Sequence, residues 1–417
     1  MKKLVCLVII GLLLGLLAPV VYAQDNGPQS VPNGPWVTPN QTRQLQRFIT
    51  IDELTKALQN SEAQSKGRMK LEIATYSNQG RPVYVAKFGE PDAQKTAILI
   101  ESSIHGDEQI HVVSMVNLIQ TLATSGNKDV LDILDKLTIW IVPMMNPDGN
   151  MTEKDGLWYP TRENVQTWKP EDFGLPADTP APFYYNANVP GMNMNRDFNP
   201  NLNYVLSMAT NVRPNTVGNY RGRSSEPGFE VAPETRALVA LFKALRPKLF
   251  IDLHMQYPTY AQSTTDNGMN TLQLLGVVLT KTSYTDRDNN VYTVDPAVIA
   301  LSKQVNSLVY QKLTANGNSL QTNITKYAPI NYPGSSLGAF ELNGAAIMLF
   351  EGRGGSIFDN GQKGSGVLIQ QMYNGVYETL KAFVSGEVYT IDPTFYDTVI
   401  PNSGPRIDNP HDDDGGD

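Results

Sequence analysis

Short apolar runs alternate with stretches of helical period along most of the chain. Residues 71–75 and 83–88 alternate apolar and polar positions on either side of Asn78-Gln79-Gly80, which predicts a hairpin. The runs 97–100, 137–142, 248–253 and 345–350 are predominantly apolar without alternation, as strands covered on both faces are. Between them, Val112, Val113, Val116, Ile119, Leu122 and Ala123 recur at helical spacing and stop at Ser125-Gly126-Asn127. Thr50 and Glu53 form a capping box ahead of a helix to about residue 58. Further helices are predicted over 233–245, from Asp295-Pro296 to about 314, and over 367–383. This alternation predicts an α/β fold, a three-layer sandwich with a mixed, mostly parallel central sheet flanked by helices.

The ends of the chain follow other rules. Lys2 and Lys3, an apolar run from Leu4 to Leu17, and Val21-Tyr22-Ala23 ahead of Gln24 have the order of a secretory signal peptide. Residues 1–23 are therefore expected to be removed, leaving no stable membrane anchor and a secreted or periplasmic protein. Residues 24–49, rich in Pro, Asn, Gln and Gly, read as an extended leader. One folded domain is expected over 50–390, then a C-terminal extension over 391–417 that ends in an acidic tail. The 417 residues carry a net charge of −8 with no Lys/Arg cluster, which argues against a nucleic-acid partner. Cys6 is the single cysteine, so neither a disulfide framework nor a thiolate metal site is available.

With four histidines in the chain, candidate metal chemistry is quickly searched. Several core strands run directly into polar clusters. The run 97–100 leads to Glu101 and then His105-Gly106-Asp107-Glu108; 248–253 ends at His254; 345–350 ends at Glu351-Gly352-Arg353. The run 137–142 leads to Asn146-Pro147-Asp148-Gly149. Ligands in such sheets gather beyond the carboxyl ends of the strands. His105 and Glu108, three apart in a turn entering a helix, can face one ion, and His254 completes a two-His, one-carboxylate set with an open position. Such a set suits catalytic zinc. Taken singly, His105 reads equally well as a loop histidine and His254 as a strand-capping one. His111, six residues past His105, is expected to pack or meet solvent, and His411 lies in the acidic tail.

The order of these clusters, with Thr161-Arg162-Glu163-Asn164 and Gly191-Met192-Asn193-Met194-Asn195-Arg196-Asp197-Phe198 between them, resembles the zinc metallocarboxypeptidase family, carboxypeptidase A-like, in a divergent bacterial form. Tyr76-Ser77-Asn78-Gln79-Gly80-Arg81-Pro82-Val83 is similar to the turn before that family's first core hairpin. The resemblance spans about residues 50–383. It implies a hydrolase and protease: a metallopeptidase with one Zn2+ held by His105, Glu108 and His254. It implies a zinc-activated water with Glu351 as general base and then acid, and Arg162 as the catalytic group that stabilises the oxyanion. Asn195 and Arg196 would be the substrate-binding pair for a terminal carboxylate, and peptide or protein C-termini the substrate. Asp148 is expected to be structural.

The pattern departs from the family in places. The substrate-contacting tyrosine expected about twenty residues before Glu351 falls near Tyr332, in an unmatched context, with Tyr327 competing. Ser336, at the position that lines the side-chain pocket in many members, is uncharged, which argues against a dedicated Lys/Arg-removing enzyme. The stretch 257–294 reads as an insertion, either over the cleft or out on the surface. Two other readings remain open on the same residues: a zinc-dependent amidase or deacylase for cell-wall peptides or acylated amino acids, and an inactive binding module.

Overall fold

Apolar runs without alternation need cover on both faces, and they find it in one twisted sheet. The computed structural model describes residues 48–154, 156–207, 225–256, 259–260, 272–276, 283–286, 289–315, 323–328, 331–353 and 362–405. Within these, the sheet comprises β1 (Lys70–Tyr76), β2 (Pro82–Phe88), β3 (Thr96–Ser102), β4 (Leu137–Val142), β5 (Leu249–Gln256), β6 (Leu272–Leu275), β7 (Ile324–Lys326) and β8 (Ala346–Arg353). Their spatial order is β1-β2-β4-β3-β5-β8-β6-β7. The centre, β4-β3-β5-β8, is parallel. The β1–β2 hairpin joins β4 antiparallel, β6 runs antiparallel to β8, and β7 is parallel to β6. The sheet is thus mixed and mostly parallel, as the sequence predicts.

Helices α1 (Ile51–Gln64), α2 (Ile110–Thr124), α3 (Lys128–Lys136), α4 (Pro233–Leu245), α5 (Pro296–Thr314), α6 (Ser336–Leu342) and α7 (Gln362–Ser385) cover the two faces. On one face Ile100, Ile251, Leu253, Met348 and Phe350 pack against α1, α2, α3, α5 and α7 through Leu54, Met115, Ile133, Val305 and Met372. On the other, Leu99, Phe250, Ile347 and Leu349 meet α4 and α6 through Leu238, Phe242 and Phe340. Strand residues alternate between faces, so the second face also carries Asp252, His254 and Glu351, which follow Phe250 and Leu349 at even spacing. The expected capping box is present, Thr50 accepting from the Glu53 N–H and Glu53 accepting from the Thr50 N–H at 2.9 Å.

Some elements differ from expectation. Helix α1 continues six residues past 58, to Gln64, and α7 begins at Gln362, five before 367. Helix α3 is not foreseen, although Asn127 caps it through the Asp129 N–H. Residues 272–275, inside the supposed insertion, form a wholly buried sheet strand rather than a surface excursion. The expected signal peptide 1–23 with Cys6, the leader to residue 47, and residues 406–417 with His411 lie outside the described residues. No helix among the described residues is long and apolar enough to cross a membrane.

Phe340 is the centre of the packing on the second face. Its ring stacks on Phe242 with centroids 4.0 Å apart and meets Phe250 edge-on at 4.8 Å and Phe198 at 5.7 Å. Phe340→Ala should lower stability by about 3–5 kcal/mol, read by chemical denaturation. A loss under about 1 kcal/mol would mean that α6 repacks without it.

Candidate metal centre

Strands β3 and β5 are parallel neighbours, in register from Ile98↔Leu249 to Ser102↔Leu253, so their carboxyl ends lie side by side. Just past β3 the chain turns sharply at Ser103, whose φ is 61°, and passes through His105 and Glu108 before α2 begins. The turn is laced to the loops beside it. The Gly106 N–H donates to the Arg162 carbonyl at 3.3 Å. The Asn146 amide donates to the carbonyls of Ile104 and Arg162 at 3.3 and 3.2 Å, while its Oδ1 accepts from the Gly149 N–H at 2.8 Å. Gly106 has no room for a side chain: a Cβ there would stand 2.3 Å from the Gly149 carbonyl carbon and 2.6 Å from the Thr161 oxygen.

The turn brings three donors together. His105 Nδ1 lies 2.8 Å from Glu108 Oε1, and His254 Nδ1 lies 3.1 Å from Glu108 Oε2. All three residues are buried, with one ligand atom of each within 4.8 Å of the others; among the described residues this is the metal-ligand cluster. Glu108 Oε2 also accepts from the Met255 N–H at 3.0 Å, and Arg162 Nη1 approaches Oε1 at 3.4 Å. Burial opposes a charged Glu108, but the two imidazoles outweigh it and hold the carboxyl well below its ordinary range. Burial, with the Arg162 charge, lowers His105 to about 3. For His254 burial is overcome by Asp252 and Glu108, which raise it well above the ordinary value.

The far nitrogens of both rings are also held. His105 Nε2 faces Asn193 Oδ1 at 3.4 Å, and His254 Nε2 lies 3.0 Å from Asp252 Oδ1 and 3.3 Å from Asn195 Nδ2. Asp252 in turn accepts from the Ser336 hydroxyl at 2.8 Å. Glu101 stands opposite Asp252 in the β3–β5 register. Among the described residues no N–H or hydroxyl reaches either Glu101 oxygen. Burial, with the Asp252 charge beside it, pushes its carboxyl well above the usual range. Ring nitrogens oriented from behind are what a metal-ligating histidine needs. A buried N, N, O set with such support fits zinc.

The other expected site residues lie around this set. Glu351 pairs in register with His254 on the adjacent strand. Arg162, 39% exposed at its side chain, approaches Glu108 Oε1 at 3.4 Å. Asn195 and Arg196 are buried on a short 3-10 turn; Asn195 Oδ1 accepts from the Ser336 N–H at 3.2 Å. Arg196 donates to the Asn195 carbonyl at 2.6 Å and lies over the Tyr332 ring at 4.0 Å. Tyr327 is close enough to Glu351, Tyr332 and Arg196 for their charges to act on it, and burial first of all pushes its hydroxyl up to about 12. Ser336 is fully buried at the start of α6 and bonds Asp252 and Asn195 instead of lining an open pocket. Asp148 is structural, accepting from Ser77, the Gln79 N–H and Arg81 at 2.7, 2.9 and 2.8 Å. His111 is buried on α2 and is not among the ligands. Glu101, Asn193 and Asp252 escaped the sequence reading, although an acidic residue inside an apolar strand, two before a histidine, was a signal.

A family model described as zinc carboxypeptidase matches residues 54–335. Human mast cell carboxypeptidase A is 24% identical over 204 residues, covering 48% of this chain and 42% of that protein. The chain thus spans less than half the length of the curated relatives it matches first, 42% and 45%. Among solved structures, carboxypeptidase A from Helicoverpa armigera gives a TM-score of 0.55 at 15% identity, over 84% of this chain and 78% of that one. Bovine thrombin-activatable fibrinolysis inhibitor, in complex with tick carboxypeptidase inhibitor, gives 0.54 at 16%, over 83% and 99%. At these identities the structures speak for the fold.

Replacing one ligand should empty the site. His254→Ala is expected to lose stoichiometric zinc, measured by metal analysis of the purified protein. One zinc per chain retained in that variant would remove His254 from the set.

Proposed function

Since the chain belongs to the zinc carboxypeptidase family, we propose that it removes C-terminal residues from peptides, with zinc on His105, Glu108 and His254 and proton transfer by Glu351. One observation carries this reading: the β5–β8 register that sets Glu351 directly beside His254, on the sheet face where the ligands gather. Bound zinc would polarise the scissile carbonyl and acidify the attacking water. Glu351 takes a proton from that water and later gives it to the leaving amine. Burial pushes its carboxyl up to about 8, against the pull of the His254 charge. A cation added to the ligand set pulls the same way as His254 and favours the carboxylate that the base role requires.

Arg162 stands beside Glu108, where its guanidinium can meet the oxygen on which charge develops. Asn195 and Arg196 take the terminal carboxylate. Arg196 is suited to this because its charge is permanent and its plane is fixed on the Tyr332 ring. Tyr332 on this reading is the platform beneath Arg196, and Tyr327 has a hydroxyl close enough to Glu351 to feel its charge. On this reading the catalytic domain runs over 50–390, with 391–417 as an extension. The signal-like pattern of residues 1–23 supports action outside the cytoplasm, in the periplasm or beyond.

Glu351→Gln should keep zinc and lose about 10²- to 10⁴-fold in turnover, because the amide fills the same space without accepting a proton. Activity within tenfold of wild type, in a steady-state assay, would take the proton-transfer role from Glu351.

Recognition of the chain end should depend on Arg196. Removing one partner of a desolvated guanidinium–carboxylate pair costs roughly 2–5 kcal/mol, so amidating a peptide's end should lower kcat/KM by about 30- to 4000-fold. Arg196→Ala should erase most of that preference and leave the zinc in place. Equal rates for free and amidated peptides on the wild-type protein would reject the carboxypeptidase reading and favour the amidase one.

A further inference from the structure

Beyond the metal set, the same sheet face carries two donors with no hydrogen-bond partner among the described residues. Gln256 follows His254 by two residues on β5, and Arg353 follows Glu351 by two on β8; the register pairs Gln256 with Arg353 as it pairs His254 with Glu351. The four side chains therefore form a two-by-two patch at the carboxyl end of the parallel sheet. Gln256 Nε2 and Arg353 Nε are both out of contact with water and have no hydrogen-bond partner among the described residues. Arg353 makes no ion pair with Glu351 or with any other acid among the described residues, and burial alone shifts its guanidinium downward. A half-buried cation with no anion is a standing cost to the fold, and a guanidinium fork beside an amide N–H is complementary to a carboxylate.

We propose that Arg353 and Gln256 form a subsite for an acidic side chain on the amino-terminal side of the scissile bond. The direction follows from where the terminal carboxylate goes. Asn195 and Ser336 gather on the Asp252 side of His254, whereas Gln256 and Arg353 lie on its other side along the strand. A peptide whose end is held by Asn195 and Arg196, and whose last bond meets Glu351, must run on past Arg353. Two strand residues span about 6.6 Å, which sets the acidic group one or two residues before the bond. The inference rests on the carboxypeptidase reading for this direction.

The test is a binding measurement that needs no turnover. Zinc-loaded Glu351→Gln protein is titrated by calorimetry with acetylated, free-ended alanine tetrapeptides carrying Glu or Gln at the second or third residue. The Glu peptide should bind at least about tenfold more tightly than its Gln partner at one of the two positions. Adding Arg353→Gln should bring that ratio to within about twofold, and Arg353→Lys should restore part of it, since the charge returns without the fork. Equal affinities at both positions, or a ratio that survives Arg353→Gln, would overturn the subsite; in that case the two donors serve carbonyl oxygens of any peptide. Hydrolysis of the same peptides by the wild-type protein is scored separately. Discrimination in binding without any hydrolysis would reject the carboxypeptidase reading and leave the subsite standing.

Discussion

A carboxylate with both oxygens out of water governs the arrangement of this protein. Glu108 would be strongly disfavoured as an anion by desolvation alone, yet its carboxyl is held well below the ordinary range. Two imidazoles, a backbone N–H and a guanidinium share its oxygens. That balance holds only if residues far apart in the chain arrive within hydrogen-bond distance of one another. The parallel pairing of β3 with β5 brings His254 to the ligand turn, and the Asn146 amide and Gly106 N–H keep that turn on the Arg162 loop. A methyl group at Gly106 would drive these segments apart.

Period-two alternation then sorts the chemistry by depth. Along one face of the sheet, β5 presents Phe250, Asp252, His254 and Gln256, and β8 presents Ile347, Leu349, Glu351 and Arg353 beside them. The innermost members belong to the Phe340 packing; the next are the Glu101–Asp252 acid pair and His254, and the outermost are donors. A one-residue slip of β8 against β5 would move Glu351 to the opposite face, among Met348 and Phe350. The buried rows of Ile251, Leu253, Met348 and Phe350 on that face therefore help to fix the register that the catalytic residues use.

The support behind the two histidines has its own logic. A ring that must offer one nitrogen outward needs its other nitrogen fixed. For His105 the partner is a neutral amide, Asn193; for His254 it is Asp252, itself held by Ser336. The second arrangement places more negative charge behind its ring than the first: Asp252 and Glu108 raise His254 against burial, whereas burial and the Arg162 charge lower His105.

How much of this was legible in the sequence depends on the range of the interaction responsible. The four central strands and the long helices were readable because burial on both faces leaves a predominantly apolar run without alternation, and burial on one side of a helix leaves a 3.6-residue period. His105, Glu108, His254 and Glu351 were readable because each stands at the end of such a run. Strands β6 and β7, of four and three residues, are too short to show a period, and α6 follows a Gly- and Ser-rich stretch that reads as a loop. Registers were out of reach of the sequence as well. Which residue of β5 lies against Glu351, and hence that Gln256 meets Arg353, that Glu101 meets Asp252, and that Ser336 is buried beneath the site, follows from pairing between segments 84 to 151 residues apart. The sequence by itself determined which strands end in chemistry. Only the tertiary structure decided which of those ends share a face, because hydrogen-bonded register is set by packing between strands and leaves no mark within any one of them.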